Sequence, residues 1–413
     1  AGTTGLHIQA KIIGALVGEY GEFDNISVRL AEPNGTITDN TATWDITPTN
    51  YYTYRGPLIE EARTNLIWPS DDFSGVRYGA LGGTAAANSF TEDASTARHG
   101  LGSTSQITFG GGAFTYTVKI TKGERRYICV NVYPIGSAWI SAIFDLEDLV
   151  FTDSQVVNGV LTNTFTGATI DKNADGTITL ALSGTTTQTI TFVGVFQSQT
   201  ATFASQTITI GAPIFTGDGV SGFDIHTMQL EAASAASSYI PTTTAAVTRN
   251  ADQLSYDTAN WFAHDKAGTM QCDAELTYGT MSGGHYIATL YGSAAERVAM
   301  HVSTTTAKIF LNAGGVSANY ANSLGTKAKG DSIRGSIGWD LNNVGSTIDT
   351  YSGVLLDTSS AIPTGITKLV IGHEDGSGNN TYHNGCVLNL IYYQKRLANS
   401  VIEANSKREN SND

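Results

Sequence analysis

Polar and apolar positions alternate with a period of two along most of this chain. In GTITLALSG, Ile178, Leu180 and Leu182 fall on one side, with Thr177, Thr179 and Ala181 on the other. FTYTVKI, RYICVNVY, TQTITFVGVF and SQTITIGAPIF carry the same pattern. Successive side chains of a strand point to opposite faces, so each run predicts a strand with one buried side. Clusters of Gly, Asn and Asp separate the runs, a spacing that belongs to sandwiches and barrels. The best helical candidate is ANSVIEANSKREN near the C-terminus, where Asn399 or Ser400 is placed to cap a short helix. The expected fold class is all-β: two consecutive antiparallel β-sandwich (jelly-roll) domains with a short C-terminal helix.

Composition sharpens this picture. The 413 residues exceed one ordinary core, and 45 Gly with only 15% charged residues suit many short elements joined by tight turns. Net charge is −14, with 23 Lys and Arg spread thinly. Such a chain lacks the basic stripe of a nucleic-acid binder and is repelled by anionic membrane surfaces. No apolar run reaches the ~18 residues of a membrane span. Cys129, Cys272 and Cys386 each sit in an apolar strand-like run, so buried free thiols are expected, without a disulfide framework or zinc spacing.

EFDNISVRL (Glu22–Leu30) and GFDIHTMQL (Gly222–Leu230) align without gaps. The second copy closes a domain that opens near residue 57; by the same logic the first would close an earlier one. That leads us to expect a C-terminal portion of a longer modular chain, the alternative being chance similarity. The expected division is residues 1–45 as a remnant of an upstream module with linker, 46–250 and 251–405 as the two sandwiches, and 406–413 as a disordered tail.

Two motifs resolve as loops. GDGVSG (Gly217–Gly222) fits GxGxxG by letter, but the alternating FDIHTMQL that follows is a strand, not the helix a dinucleotide site needs. DKNADG (Asp171–Gly176) matches half a calcium loop. The twelfth position is Leu182 rather than Glu, so a turn with Gly176 at positive φ is expected.

GPLIEEARTNLIWPSDDFS resembles the opening of a carbohydrate-binding-module-like domain found in phage and prophage structural proteins. QLEAASAASSYIPTTTAAVTRNAD (Gln229–Asp252) is similar to that family's closing segment, and WISAIFDLEDL to its central strand. AGTMQCDAELTY, SIRGSIGWDLNNVGSTIDTYSGVLLDT and GITKLVIGHEDGSGNNTYHNGCVLNLIYYQKRLANSVIEA resemble a concanavalin A-like (laminin G-like) sandwich: a first long strand, a strand pair and a closing hairpin. The resemblance implies a tail-fibre or head-spike component on the surface of a virion or phage-like particle, made in the bacterial cytoplasm. Its implied partners are host cell-surface polysaccharide, other virion proteins and further copies of itself, a trimer being usual, with no nucleic acid and no membrane insertion. It also implies a structural calcium where the opening turn meets the closing strand. The candidate ligands are Asp72 and Asp224, with Glu231 a further one; the alternative is that these residues are solvated or bond backbone amides.

GHEDGSGNNTYHNG (Gly372–Gly385) is the richest polar loop. His373, Glu374, Asp375, Asn379, Tyr382 and His383 offer planar hydrogen-bonding groups beside an aromatic face, the inventory of sugar recognition. The same composition also suits a plain hairpin connection. Tyr51, Tyr52, Tyr54, Trp68, Tyr78, Trp139, Trp261 and Trp339 are further aromatics, with Trp339 read as core. For catalysis, no Glu-x-Asp-x-x-Glu run, GxSxG or HExxH occurs. Glu147 and Asp148 are adjacent and expected on opposite faces of a strand. The expected function is therefore non-enzymatic glycan-binding adhesion. A polysaccharide depolymerase with dispersed catalytic groups and a purely structural virion decoration are the alternatives.

Overall fold

The computed structural model describes residues between 58 and 407, interrupted at 75–76, 87, 104–106, 108, 136–137, 160–161, 253, 260, 264–265, 277–284, 303–305, 323–329, 350–352 and 375–381. The expected upstream remnant at 1–45, the first repeat copy, Tyr51, Tyr52, Tyr54, Asp375, Asn379 and residues 408–413 lie outside these.

The alternating runs form two sandwiches whose strand ladders are antiparallel. In the first, one sheet runs Val150–Val157, Trp139–Asp145, Tyr127–Pro134, Ile190–Ser198, Gly100–Ser103, Tyr78–Leu81. The facing sheet runs Asn163–Lys172, Ile178–Thr186, Gly112–Lys122, Gly222–Glu231, Ser89–Glu92, Gly83–Ala86. Ile178, Leu180 and Leu182 all point inward, with Leu180 opposite Val118 and Leu182 opposite Tyr116. Burying each such side chain contributes about 1.5–3 kcal/mol. A small sheet of Thr207–Thr209, Ala212–Thr216 and Thr96–Ala97 adds a minor core of Cys129, Ile143, Phe196, Phe203 and Ala212.

In the second sandwich one sheet runs Leu58–Ile59, Gly385–Tyr393, Gly268–Leu276, Ser332–Asp340, Asn343–Ile348, Leu355–Asp357. The other runs Leu254–Asp257, Lys368–Ile371, His285–Ser293, Glu296–Val302, Ala307–Ala313, Val316–Asn322. Trp339 is fully buried in its core, and all three cysteines are buried free thiols. The helix Asn399–Ser406 packs on this sandwich through buried Ile402. No helix among the described residues is long and apolar enough to cross a membrane.

The chain thus gives the second sandwich a strand before it builds the first. Leu58 and Ile59 pair with Cys386 and Gly385, and Ile59 is buried in the second core. The first sandwich is then entered and left through one gate, where Arg63–Asn65 pairs with Val247–Arg249. Buried Glu60 locks this gate. It accepts from Ser238 N (2.8 Å), Ser238 Oγ and Arg249 Nη1, while its backbone exchanges bonds with Asp252. Asn384 Oδ1 accepts from Glu61 N at 2.8 Å and ties the gate to the second sandwich. Asn65 satisfies four backbone groups, accepting from Ile67 N and Leu230 N and donating to Ile240 O and Met228 O.

The strand Arg63–Asn65 ends where Asn65 redirects the backbone. Three local expectations are corrected. Glu147 and Asp148 lie in a turn after Trp139–Asp145, where both carboxylates pair with Arg126 instead of facing opposite sides of a strand. Lys368–Ile371 and Gly385–Tyr393 are not a hairpin, because the loop between them crosses from one sheet to the other. Asn399 does not cap the helix, since Ala398 holds the cap position and Asn399 Oδ1 accepts from Arg396. The two loop motifs fold as turns. Asp218 Oδ1 caps Val220 N and Ser221 N, and Asp175 Oδ1 caps Thr177 N ahead of a strand, with Gly176 at φ +83°.

Candidate functional site

Alternation along His285–Ser293, Glu296–Val302 and Ala307–Ala313 sends Leu290, Val298, Met300, Val302, Ile309 and Leu311 into the core. The other side of this sheet carries Arg297, His301 and Lys308, half-buried, and Thr289, Ala299 and Phe310, at most 3% exposed; Tyr286 joins it because the ladder shifts register between Tyr286 and Ala288. Register sets them in rows: Tyr286 opposite His301 opposite Lys308, Thr289 opposite Ala299 opposite Phe310, and Tyr291 opposite Arg297 opposite Asn312. Arg297 spans these rows. Its guanidinium carbon lies 5.5 Å from the Tyr286 ring centroid and 5.3 Å from that of Phe310. The His301 ring lies 5.3 Å from Tyr286 at 31° and 5.5 Å from Phe310, nearly edge-on.

The loop that crosses between sheets adds a carboxylate. Gly372 N donates to Ile287 O at 2.8 Å, His383 N donates to Gly372 O, and Tyr382 bridges to Tyr286. These bonds hold Glu374 against the same face, where it forms an ion pair with Arg297 Nη1. The Tyr286 phenol donates to Glu374 and accepts from Arg297, and its pKa is pushed up to about 12 by burial first. It is therefore a neutral hydrogen-bonding group. His301 is pushed down to about 4, by burial first and then by the positive charges of Lys308 and Arg297, so it is a neutral imidazole near pH 7. The Arg297 Nε and His301 Nδ1 atoms are buried without a hydrogen-bond partner. The face thus offers the half-buried Tyr286 ring with donors of both charged and neutral kind, while Phe310, at 3% exposed, only packs against them.

Of the loop residues singled out from sequence, only Glu374 reaches this face among those described. His373, Tyr382 and His383 are at most 3% exposed and point into the sandwich, out of reach of a ligand in this conformation. His373 packs on Tyr382 at 5.4 Å, His285 Nδ1 bonds Tyr382 O, and burial pushes His383 down to about 4.

Asp72 and Asp224 do not converge. Asp72 Oδ1 accepts from Ser74 N (3.1 Å) and Ser74 Oγ (2.6 Å), which lowers its pKa. Asp224 lies exposed on Gly222–Glu231, opposite Thr121 and Ser89. Glu231 is buried and holds Ser237 N and Oγ; burial raises its pKa. Among the described residues no group of three or more His, Cys, Asp or Glu is placed to hold a metal ion. A calcium ion wants six to eight oxygens, so Asp72 and Asp224 as placed do not fit it.

Trp68, Trp139 and Trp261 are already engaged within the fold. Arg77 covers Trp68, 3.3 Å from its ring centroid, beside a cleft lined by Tyr78, Ser103 and Ile107. That cleft holds about 10 Å³, room for one water, against the ~300 Å³ or more of small-molecule sites. Trp139 Nε1 donates to Gln155, and Trp261 packs edge-on against Phe262 and Tyr392.

Tyr286, Arg297, His301 and Phe310 were not singled out from sequence. A signal was present for Arg297 and His301 in the alternation of ERVAMHV, which puts both on the polar side, whereas Tyr286 has the parity of core residues Ala288 and Leu290 and reaches the face only through the register shift between Tyr286 and Ala288. Only the pairing register shows that the polar sides meet.

Fold and site together define an all-β protein of two antiparallel sandwiches with an aromatic and charged cluster on one outer sheet face. No family model matches the sequence, and no curated protein matches it. Solved structures to which the chain is similar include mouse laminin alpha1 chain domains LG4-5, at 10% identity over 90% of this chain and 96% of that chain, TM-score 0.26. The LG1-3 region of the laminin alpha2 chain aligns at 9% identity over 78% and 66%, TM-score 0.25. The native heptameric SAP-like pentraxin from Limulus polyphemus aligns at 14% over 34% and 70%, TM-score 0.27.

Proposed function

We propose that this protein is a non-enzymatic glycan-binding adhesin whose sugar site is the outward face at Tyr286, Arg297, His301 and Glu374. One observation carries the reading: an aromatic ring, a guanidinium, an imidazole and a carboxylate are gathered, half-buried, on a single sheet face. Sugars are held by planar hydrogen-bonding groups beside an aromatic surface that covers their C–H groups. Placement on strands keeps such groups pre-organised, so little ordering entropy is lost on binding.

The finer setting is the surface of a phage or phage-derived particle, as a tail fibre or head spike contacting host polysaccharide. Its support is the opening phrase around Glu61–Asn65 and the closing phrase Gln229–Asp252. In that setting several copies, a trimer being usual, turn weak single sites into strong attachment through effective concentration.

The test is binding of the full chain to bacterial capsular and exopolysaccharides, beside Tyr286→Ala and Arg297→Gln. Wild type is expected to bind at least one polysaccharide, with each substitution weakening it about tenfold or more. Absence of binding to every polysaccharide, or undiminished binding by both variants, overturns the assignment. Release of reducing ends from a bound polysaccharide would instead make the protein a depolymerase.

A further inference from the structure

The same face carries a charge imbalance that selects among glycans. Arg297 and Lys308 are cationic, and Glu374 is the carboxylate set against them. This occurs in a chain whose net charge is −14, so a locally cationic face is not a consequence of composition. A guanidinium has five N–H donors. Here Glu374 and the Tyr286 phenol take some of them, and Nε is buried without a partner. Lys308 stands opposite His301 in the ladder, on the other side of the same row from Tyr286. His301 is held neutral by burial first and then by the charges of Lys308 and Arg297.

Resting on the glycan-binding reading, we propose that this face takes acidic glycans: a uronate carboxylate replaces Glu374 as the partner of Arg297, with Lys308 as the second cation and the sugar ring against Tyr286. Glu374 then acts as an internal stand-in for the ligand, neutralising Arg297 while the site is empty. Exchange of one carboxylate for another costs little charge desolvation, because Arg297 is already paired and mostly buried. It releases Glu374 to solvent, where it is fully hydrated.

The probes are polygalacturonate oligosaccharides and the same oligosaccharides after carboxyl reduction, with binding followed by calorimetry on the full chain. The acidic probe is expected to bind about tenfold or more tighter than the reduced one. Arg297→Gln should abolish that preference, and Glu374→Gln should tighten acidic binding by removing the internal competitor. Arg297→Lys preserves charge and checks that lost binding is not lost folding. Equal affinity for both probes overturns the acidic preference and leaves glycan binding standing. No affinity for the acidic probe, or unchanged preference in Arg297→Gln, also overturns it. Failure of glycan binding as a whole would appear in the polysaccharide survey, a separate measurement.

Discussion

Replacing Glu60 with Ala is the perturbation that most fully engages the gate between the sandwiches. Glu60 is 3% exposed and its carboxylate holds Ser238 N, Ser238 Oγ and the Arg249 guanidinium. The Arg249 side chain is 15% exposed, and its Nε is buried without a partner. Removing one member of a buried ion pair costs about 3–5 kcal/mol, because the other charge stays buried. Arg249 keeps Glu61 O at 3.1 Å and Ser238 Oγ, which places the loss near the lower end, about 3 kcal/mol. At roughly 2–4 °C per kcal/mol the melting temperature should fall by about 6–12 °C. Urea denaturation of wild type, Glu60→Ala, Arg249→Met and the double variant measures this directly. Adding Arg249→Met to Glu60→Ala should restore more than half of the lost stability, since an apolar replacement removes the stranded charge. A loss under about 1 kcal/mol for Glu60→Ala, or simple additivity in the double variant, would refute the account of the gate.

Three further outcomes follow from the same geometry. Asn65→Ala strands two backbone donors and two acceptors at a fully buried position, and should cost about 2–4 kcal/mol in urea denaturation. Gly372→Ala sets a Cβ at φ +81°, 2.3 Å from Ile59 Cγ2, and should cost at least about 2 kcal/mol while raising amide exchange at Gly385 and Cys386, the partners of Leu58–Ile59. His301 and His383 titrate at about 4 when folded and near 6.5 when unfolded, so the unfolded chain binds more protons between those values. Their contribution is intact above pH 6.5 and is lost as pH falls toward 4; His301→Gln should flatten the decline of stability in that window.

Only the first half of the gate was legible in sequence, as the opening phrase; Ser238, Arg249 and Asn384 join it from far along the chain. Glu61–Asn65 lies within the opening phrase GPLIEEARTNLIWPSDDFS, but the groups Asn65 satisfies at Met228, Leu230 and Ile240 are set by the fold. The two turns at Gly176 and Gly219 were, by contrast, local. The binding face was not legible, since Tyr286, Arg297, His301 and Phe310 are brought together by strand register. The polar loop misled for a related reason. Composition marks His373, Tyr382 and His383 as polar loop residues, but the crossing from one sheet to the other and the Tyr286–Tyr382 bridge turn them inward. Asp72 and Asp224 were joined by a family likeness, whereas the bonds of Asp72 are spent within its own turn.

The most direct test is a crystal structure of the full chain with a bound acidic oligosaccharide. A sugar ring should lie on the outward face against Tyr286, with its carboxylate on Arg297 and Glu374 displaced from that guanidinium. A sugar bound elsewhere on either sandwich, with the Arg297–Glu374 pair unchanged, would contradict it.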